Sequence, residues 1–175
     1  MIAVGRFSPD VAEKALKEGH VDLIAMGRQT IADPDTPRLI LSGRQQDTRP
    51  CIACFYCADW GARLDKPIGC QVNAAVGREG DYKLRPTDQP KRIVVIGAGP
   101  AGLEASRLLG QRGHQVILLE KEPFIGGQLM QAAIPPHKDR LKPLLDYYSQ
   151  QLIQATNQMP TPLDPSILLR DPELA

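Results

Sequence analysis

Apolar and polar positions change period along this chain, and each change marks an element. Met1–Val4 is a short apolar run. Ser8-Pro9-Asp10 then supplies a cap, a first-turn proline and an acidic residue for a helix N-terminus. The pattern predicts a helix to about Glu18, with Val11, Ala12, Ala15 and Leu16 on one face, stopped at Gly19-His20. Val21–Met26 is apolar almost throughout, as a parallel strand buried on both faces would be. Gly27-Arg28, a turn with Asp33-Pro34-Asp35 and a helix near Thr36–Ser42 follow. The same alternation returns later. It predicts a strand at Arg92–Ile96, a helix at Pro100–Arg112, a strand at Gln115–Glu120 and a helix near Asp139–Ile153. From Thr156 onward, Pro160, Pro162, Pro165 and Pro172 break any period, so residues 155–175 read as an unstructured tail.

Strand–helix alternation implies parallel strands joined by helical crossovers, hence an α/β fold. Two parallel strands do not make a stable sheet alone, so the first pair is expected to belong to a larger sheet. Composition narrows the class. Lys+Arg 21 against Asp+Glu 20 leaves a net charge of +1, which argues against nucleic-acid or membrane-surface binding through excess positive charge. A 42% hydrophobic content suffices for a packed core. No apolar run reaches the ~18–20 residues of a membrane span, and the N-terminus lacks signal-peptide order, so a soluble cytoplasmic protein is the expectation.

All four cysteines fall within Cys51-x2-Cys54-x2-Cys57-x12-Cys70. Without an export signal, such density points to metal rather than disulfides. Structural zinc favours two separate C-x2-C pairs, whereas three thiolates on a tight loop plus a fourth from elsewhere suit a [4Fe–4S] cluster. The three-plus-one grouping favours the cluster. Phe55, Tyr56 and Trp60 beside the ligands read as core aromatics or as a shield against water.

The second unit carries Gly97-Ala98-Gly99-Pro100-Ala101-Gly102 between a predicted strand and a predicted helix. This context makes G-x-G-x-x-G a dinucleotide motif. Gly97 permits the tight turn, Gly99 admits a pyrophosphate to the backbone, and Gly102 lets helix and strand approach. The free N–H groups of the helix N-terminus favour phosphate. Glu120 ends the second strand, 23 residues beyond Gly97, placed to accept hydrogen bonds from a ribose. The motif alone leaves FAD and NAD open.

Further stretches lie along the chain in one order: Ile2-Ala-Val-Gly-Arg6, Asp22–Arg28, Ala32-Asp-Pro-Asp35, Arg49-Pro-Cys-Ile-Ala-Cys54, Cys70-Gln-Val-Asn73, Ile96–Ala105 and Gly126-Gly-Gln-Leu129. Together they resemble the C-terminal part of an NADH:flavin oxidoreductase of the 2,4-dienoyl-CoA reductase/trimethylamine dehydrogenase group, within the old yellow enzyme family. The resemblance covers about residues 1–154. It implies the last two βα units of an FMN-binding TIM barrel (1–48), an iron–sulfur segment (49–77), a linker (78–90) and a partial Rossmann-like FAD (or ADP) domain (91–154). Gly5, Arg6, Gly27 and Arg28 would then occupy the barrel's phosphate site. Gln128 and Lys138, with Gly127, become further candidates for FAD contact.

By that resemblance the parent enzyme passes electrons from NAD(P)H to FAD, to the cluster, to FMN, and on to an enoate or enoyl-CoA double bond. An amine dehydrogenase running the other way is the alternative, and its Cys spacing matches. A non-catalytic electron-transfer or nucleotide-binding remnant is the third reading. Six barrel strands and a second dinucleotide motif are missing, as in a truncated gene, so the chain alone is expected to be inactive unless an N-terminal half complements it. No catalytic residue is assigned. His20, His114 and His137 read as structural or solvated.

Overall fold

A computed structural model describes residues 1–5 and 7–157. The chain divides into two compact units, Met1–Tyr82 and a second beginning at Lys83.

In the first unit, β1 (Ile2–Val4) pairs in parallel with β2 (Leu23–Ala25), Ala3 facing Ile24. Helix α1 (Pro9–Lys17) makes the crossover, with Pro9 in its first turn and Asp10 at the positive end of its dipole. Both strands are shorter than their apolar runs. Three helices follow: α2 (Gly27–Ala32), α3 (Thr36–Leu41) and α4 (Tyr56–Leu64). Helices α2 and α4 were absent from the sequence expectation. Gly27-Arg28, expected in a loop after the strand, opens a helix, and the cysteine loop runs directly into α4. Ala12, Ala32, Thr36, Leu39 and Val72 form the small core.

In the second unit, β3 (Arg92–Ile96) pairs in parallel with β4 (Gln115–Leu119) along its whole length, Val94 opposite Ile117. Helix α5 (Pro100–Gln111) connects them. The short helix α6 (Gln128–Ala132) and the long α7 (Lys142–Asn157) complete the unit. Helix α7 extends to Asn157, three residues into the stretch read from sequence as unstructured. The remainder of that stretch, 158–175, lies outside the described residues.

Helix α5 is held from both sides. Leu103 is fully buried, and Arg107 is buried between α5 and α7. The Arg107 guanidinium is satisfied by both Glu104 carboxylate oxygens (2.9 and 2.8 Å) and by Gln111 (2.9 Å), which a buried charge requires. Burial pulls its pKa down, but the hydrogen bonds and charge of Glu104 outweigh it and hold Arg107 protonated. His114 is buried too, with Nδ1 accepting the Lys91 N–H at 3.2 Å, while His20 and His137 are exposed. Among the described residues no helix is long and apolar enough to cross a membrane.

The tightest approach in the unit is at Gly102, where a Cβ would sit 1.9 Å from the Gly97 carbonyl oxygen. That neighbour is backbone and cannot swing away. Gly102→Ala is therefore expected to cost at least about 2 kcal/mol, the range of an overpacked core, read as a lower urea midpoint for the second unit. An unchanged midpoint would show that strand and helix separate freely here.

Candidate functional site

Three groups of sequence-chosen residues have their surroundings defined. The first is the loop end of the β1–β2 pair. Parallel pairing brings Gly5 and Gly27, each just past a strand, to the same end of the sheet. Arg28 follows in the first turn of α2. Its guanidinium lies over the Phe55 ring, 4.4 Å from the centroid, and its Nη1 is buried without a hydrogen-bond partner. A buried cationic donor with no acceptor is chemically matched to an anion's oxygen. Arg6 lies outside the described residues.

The second group is the cysteine segment. Phe55 is in the left-handed conformation (φ 62°) and Tyr56 begins α4. A left-handed residue followed by a helical one turns successive N–H groups toward one concavity. Cys57 lies in the first turn of α4, where N–H groups lack helical acceptors. Ala53 is left-handed as well, φ 55°.

Cys70 is half-buried, and burial raises its thiol pKa. Backbone N–H groups of Val72 and Asn73 pull it down, and the Cys54 and Cys51 charges push it up again. These three cysteines are therefore electrostatic neighbours. Gly69 lies against the Tyr56 ring, where a Cβ would come 2.9 Å from Cε1, and this close approach puts the segment before Cys70 beside the start of α4. The donor set of four thiols with N–H groups aimed at sulfur fits an iron–sulfur cluster. Among the described residues, however, no three Cys, His, Asp or Glu side chains converge as a metal-binding set.

The aromatics are not core residues. Phe55 is 53% exposed beneath Arg28. Tyr56 and Trp60 stack on each other with centroids 4.9 Å apart, and Lys66 caps Trp60 at 4.6 Å.

The third group is the glycine loop. Gly97 takes φ 95°, and its N–H bonds to Leu119 O at 2.7 Å, closing the turn after β3. Gly99 caps α5 and Pro100 is its first residue, so the N–H groups of Ala101 and Gly102 fall in the turn without helical acceptors. Nothing lies within 4 Å of the position a Gly99 Cβ would take. Glu120 reaches across: one carboxylate oxygen accepts the Ala98 N–H at 2.7 Å and the other the Glu122 N–H at 3.1 Å. These bonds, that to Ala98 foremost, lower its pKa.

The second glycine pair folds back onto the first. Gly126 N–H donates to Ala98 O at 2.7 Å, and a Cβ on Gly127 would come 3.3 Å from Gly99 Cα. Gln128 opens α6 and is exposed, and Lys138 is exposed on the turn before α7.

Sequence reasoning missed Gln29, and took Arg49 and Asn73 only as parts of quoted stretches. Their side chains bond backbone across 20 to 42 residues of chain. A six-residue helix carries no period from which such contacts could be foreseen.

Comparison with known proteins places these features in a family. The family model for FAD dependent oxidoreductases matches residues 92–170, beyond the residue 154 at which the sequence resemblance was taken to stop. A metal reductase of Desulforamulus reducens is 48% identical over 138 residues, covering 78% of this chain and 20% of its own length. The solved complex of 2-naphthoyl-CoA reductase with 2-naphthoyl-CoA superposes with a TM-score of 0.83 at 36% identity, covering 88% of this chain and 24% of that one. Histamine dehydrogenase from Rhizobium sp. 4-9 gives 0.81 at 35% identity, over 89% and 24%. The chain thus spans about a fifth to a quarter of the length of these relatives. It belongs to the NADH:flavin oxidoreductases of the 2,4-dienoyl-CoA reductase and trimethylamine dehydrogenase group.

Proposed function

We propose that this chain is the part of a flavin-dependent oxidoreductase that carries a [4Fe–4S] cluster on Cys51, Cys54, Cys57 and Cys70 and an adenine nucleotide, FAD or ADP, on the glycine loop of its second unit. Gly5, Arg6, Gly27 and Arg28 would hold the phosphate of FMN. The observation that carries the reading is the joint one: four cysteines in three-plus-one spacing and a G-x-G-x-x-G turn in strand–helix context, both in one chain of this family. When bound, such groups supply one- and two-electron transfer, and the protein's part is to bind, orient and tune them. The proposed parent reaction is reduction of an enoate or enoyl-CoA substrate with NAD(P)H.

A second reading, an amine dehydrogenase with electrons flowing the other way, is supported by similarity to histamine dehydrogenase at nearly the same TM-score. Residue roles follow from local chemistry. The Ala101 and Gly102 N–H groups would receive the pyrophosphate. The Glu120 carboxylate, ionised at neutral pH, would accept from a ribose hydroxyl while keeping its bond to Ala98. Gly127 would line the same cleft beside Gly99. Gln128 and Lys138 are proposed as flanking contacts.

Prepared without oxygen, the chain is expected to hold about four irons and to be brown. Cys70→Ser removes the ligand outside the tight loop and should lower iron content sharply, with zinc at one per chain and no iron as the refuting result. Gly99→Val is expected to leave folding nearly intact, because the space beside Gly99 is open. It should lower dinucleotide affinity more than tenfold by calorimetry, which is about 1.4 kcal/mol. Equal binding by variant and wild type would remove the dinucleotide from this loop.

A further inference from the structure

Outside the thiols themselves, the cysteine segment is anchored by one side chain that reads two opposite backbone groups at once. Gln29 lies one residue beyond Arg28 on α2. Its Oε1 accepts the Cys51 N–H at 3.0 Å, and its Nε2 donates to the Arg49 carbonyl at 2.9 Å. Nε2 also donates to the hydroxyl of fully buried Thr36 at 3.1 Å, and that hydroxyl donates to Asp33 O at 2.8 Å. The amide cannot be reversed. The Arg49 carbonyl needs a donor and the Cys51 N–H needs an acceptor, so a flipped amide would lose both bonds. Pro50, between them, has no N–H of its own to satisfy.

The same helix, with the residue after it, also holds the chain on either side of the loop. Asp33 Oδ2 accepts the Arg49 N–H at 2.9 Å. Arg49 Nη1 donates to Val72 O at 2.8 Å, and buried Asn73 donates to Ile31 O at 3.1 Å. The first and last cysteines are thus tied back to the helix that carries Arg28.

We propose that Gln29 is a positioning residue, which fixes the backbone of Cys51 so that the first thiolate is held in place for the cluster and in register with the Gly27-Arg28 start of α2. This rests on the cluster reading above. Side chains that orient metal ligands from behind typically matter 10–100-fold in metal affinity.

The test uses the full 175-residue chain, reconstituted anaerobically with ferrous iron and sulfide, and challenged with an iron chelator. Gln29→Leu keeps the volume and removes all three side-chain bonds. Leu39→Ala, in the buried core of the same unit, is the control for lost stability alone. Gln29→Leu is expected to release iron about tenfold faster than wild type and to change the visible circular dichroism of the bound cluster. Leu39→Ala should leave both at wild-type values under native conditions. Gln29→Glu keeps an acceptor for Cys51 and should fall between Leu and wild type, and it carries the test if the Leu variant does not fold.

Equal release from Gln29→Leu and wild type, with Cys70→Ser still depleted of iron, overturns the positioning role and leaves the cluster reading standing. Equal release from Gln29→Leu and Leu39→Ala overturns it too, because stability alone would then account for the loss. A wild-type chain that takes up no iron overturns both.

Discussion

The constraint on which the first unit depends is that an irregular segment cannot satisfy its own backbone. Residues 48 to 55 form no helix or strand, yet much of this stretch is not freely exposed to water. Buried N–H and C=O groups must be paired, and here helix side chains do the pairing. Gln29 and Asp33 take the Arg49 N–H, the Arg49 carbonyl and the Cys51 N–H, while Asn73 reaches the end of α2. A small core is enough because this network, rather than apolar area, sets the path of the loop.

The second unit solves a related problem with glycine instead of side chains. Strand, turn and helix approach closely at Gly97 and Gly102, and the absence of Cβ atoms leaves the helix N-terminus bare on one side. Glu120 accepts the Ala98 N–H from across the turn. Its charge is held by that contact and the bond to Glu122. The carboxylate therefore stays ionised to lower pH than an ordinary glutamate, and the stability it lends the turn is lost only as pH falls through that depressed value.

What the sequence made legible follows from which signals are local. Strand β3 and helix α5 were placed to within a residue, because the apolar run, Gly99, Pro100 and Gly113 are all short-range signals. The thiol spacing and the glycine motif were legible for the same reason. The helices α2 and α4 were not. Each is short, each begins beside residues with turn character, and each depends on distant partners. Phe55 looked like a core aromatic because its residue type is usually buried, but a left-handed backbone turns it outward under Arg28. Gln29 carried no sequence signal at all, since its two backbone partners lie 20 and 22 residues away.

The energetics of the cysteine loop then bear on how it responds to a ligand. Ala53 and Phe55 are both left-handed without being glycine, at roughly 1–2 kcal/mol each. The Arg28 stack over Phe55 contributes about 0.5–1 kcal/mol at an exposed site, and each hydrogen bond of the Gln29 clamp about 1 kcal/mol. Strain and support are of the same size. Whatever binds this shape and not the unfolded chain adds its binding free energy directly to stability. The two strained residues, Ala53 and Phe55, flank Cys54 directly in the chain. The clamp from α2 sets the positions at which thiolate coordination would find its sulfurs, so the helix that bears Arg28 and the loop that bears the thiols are held as one body.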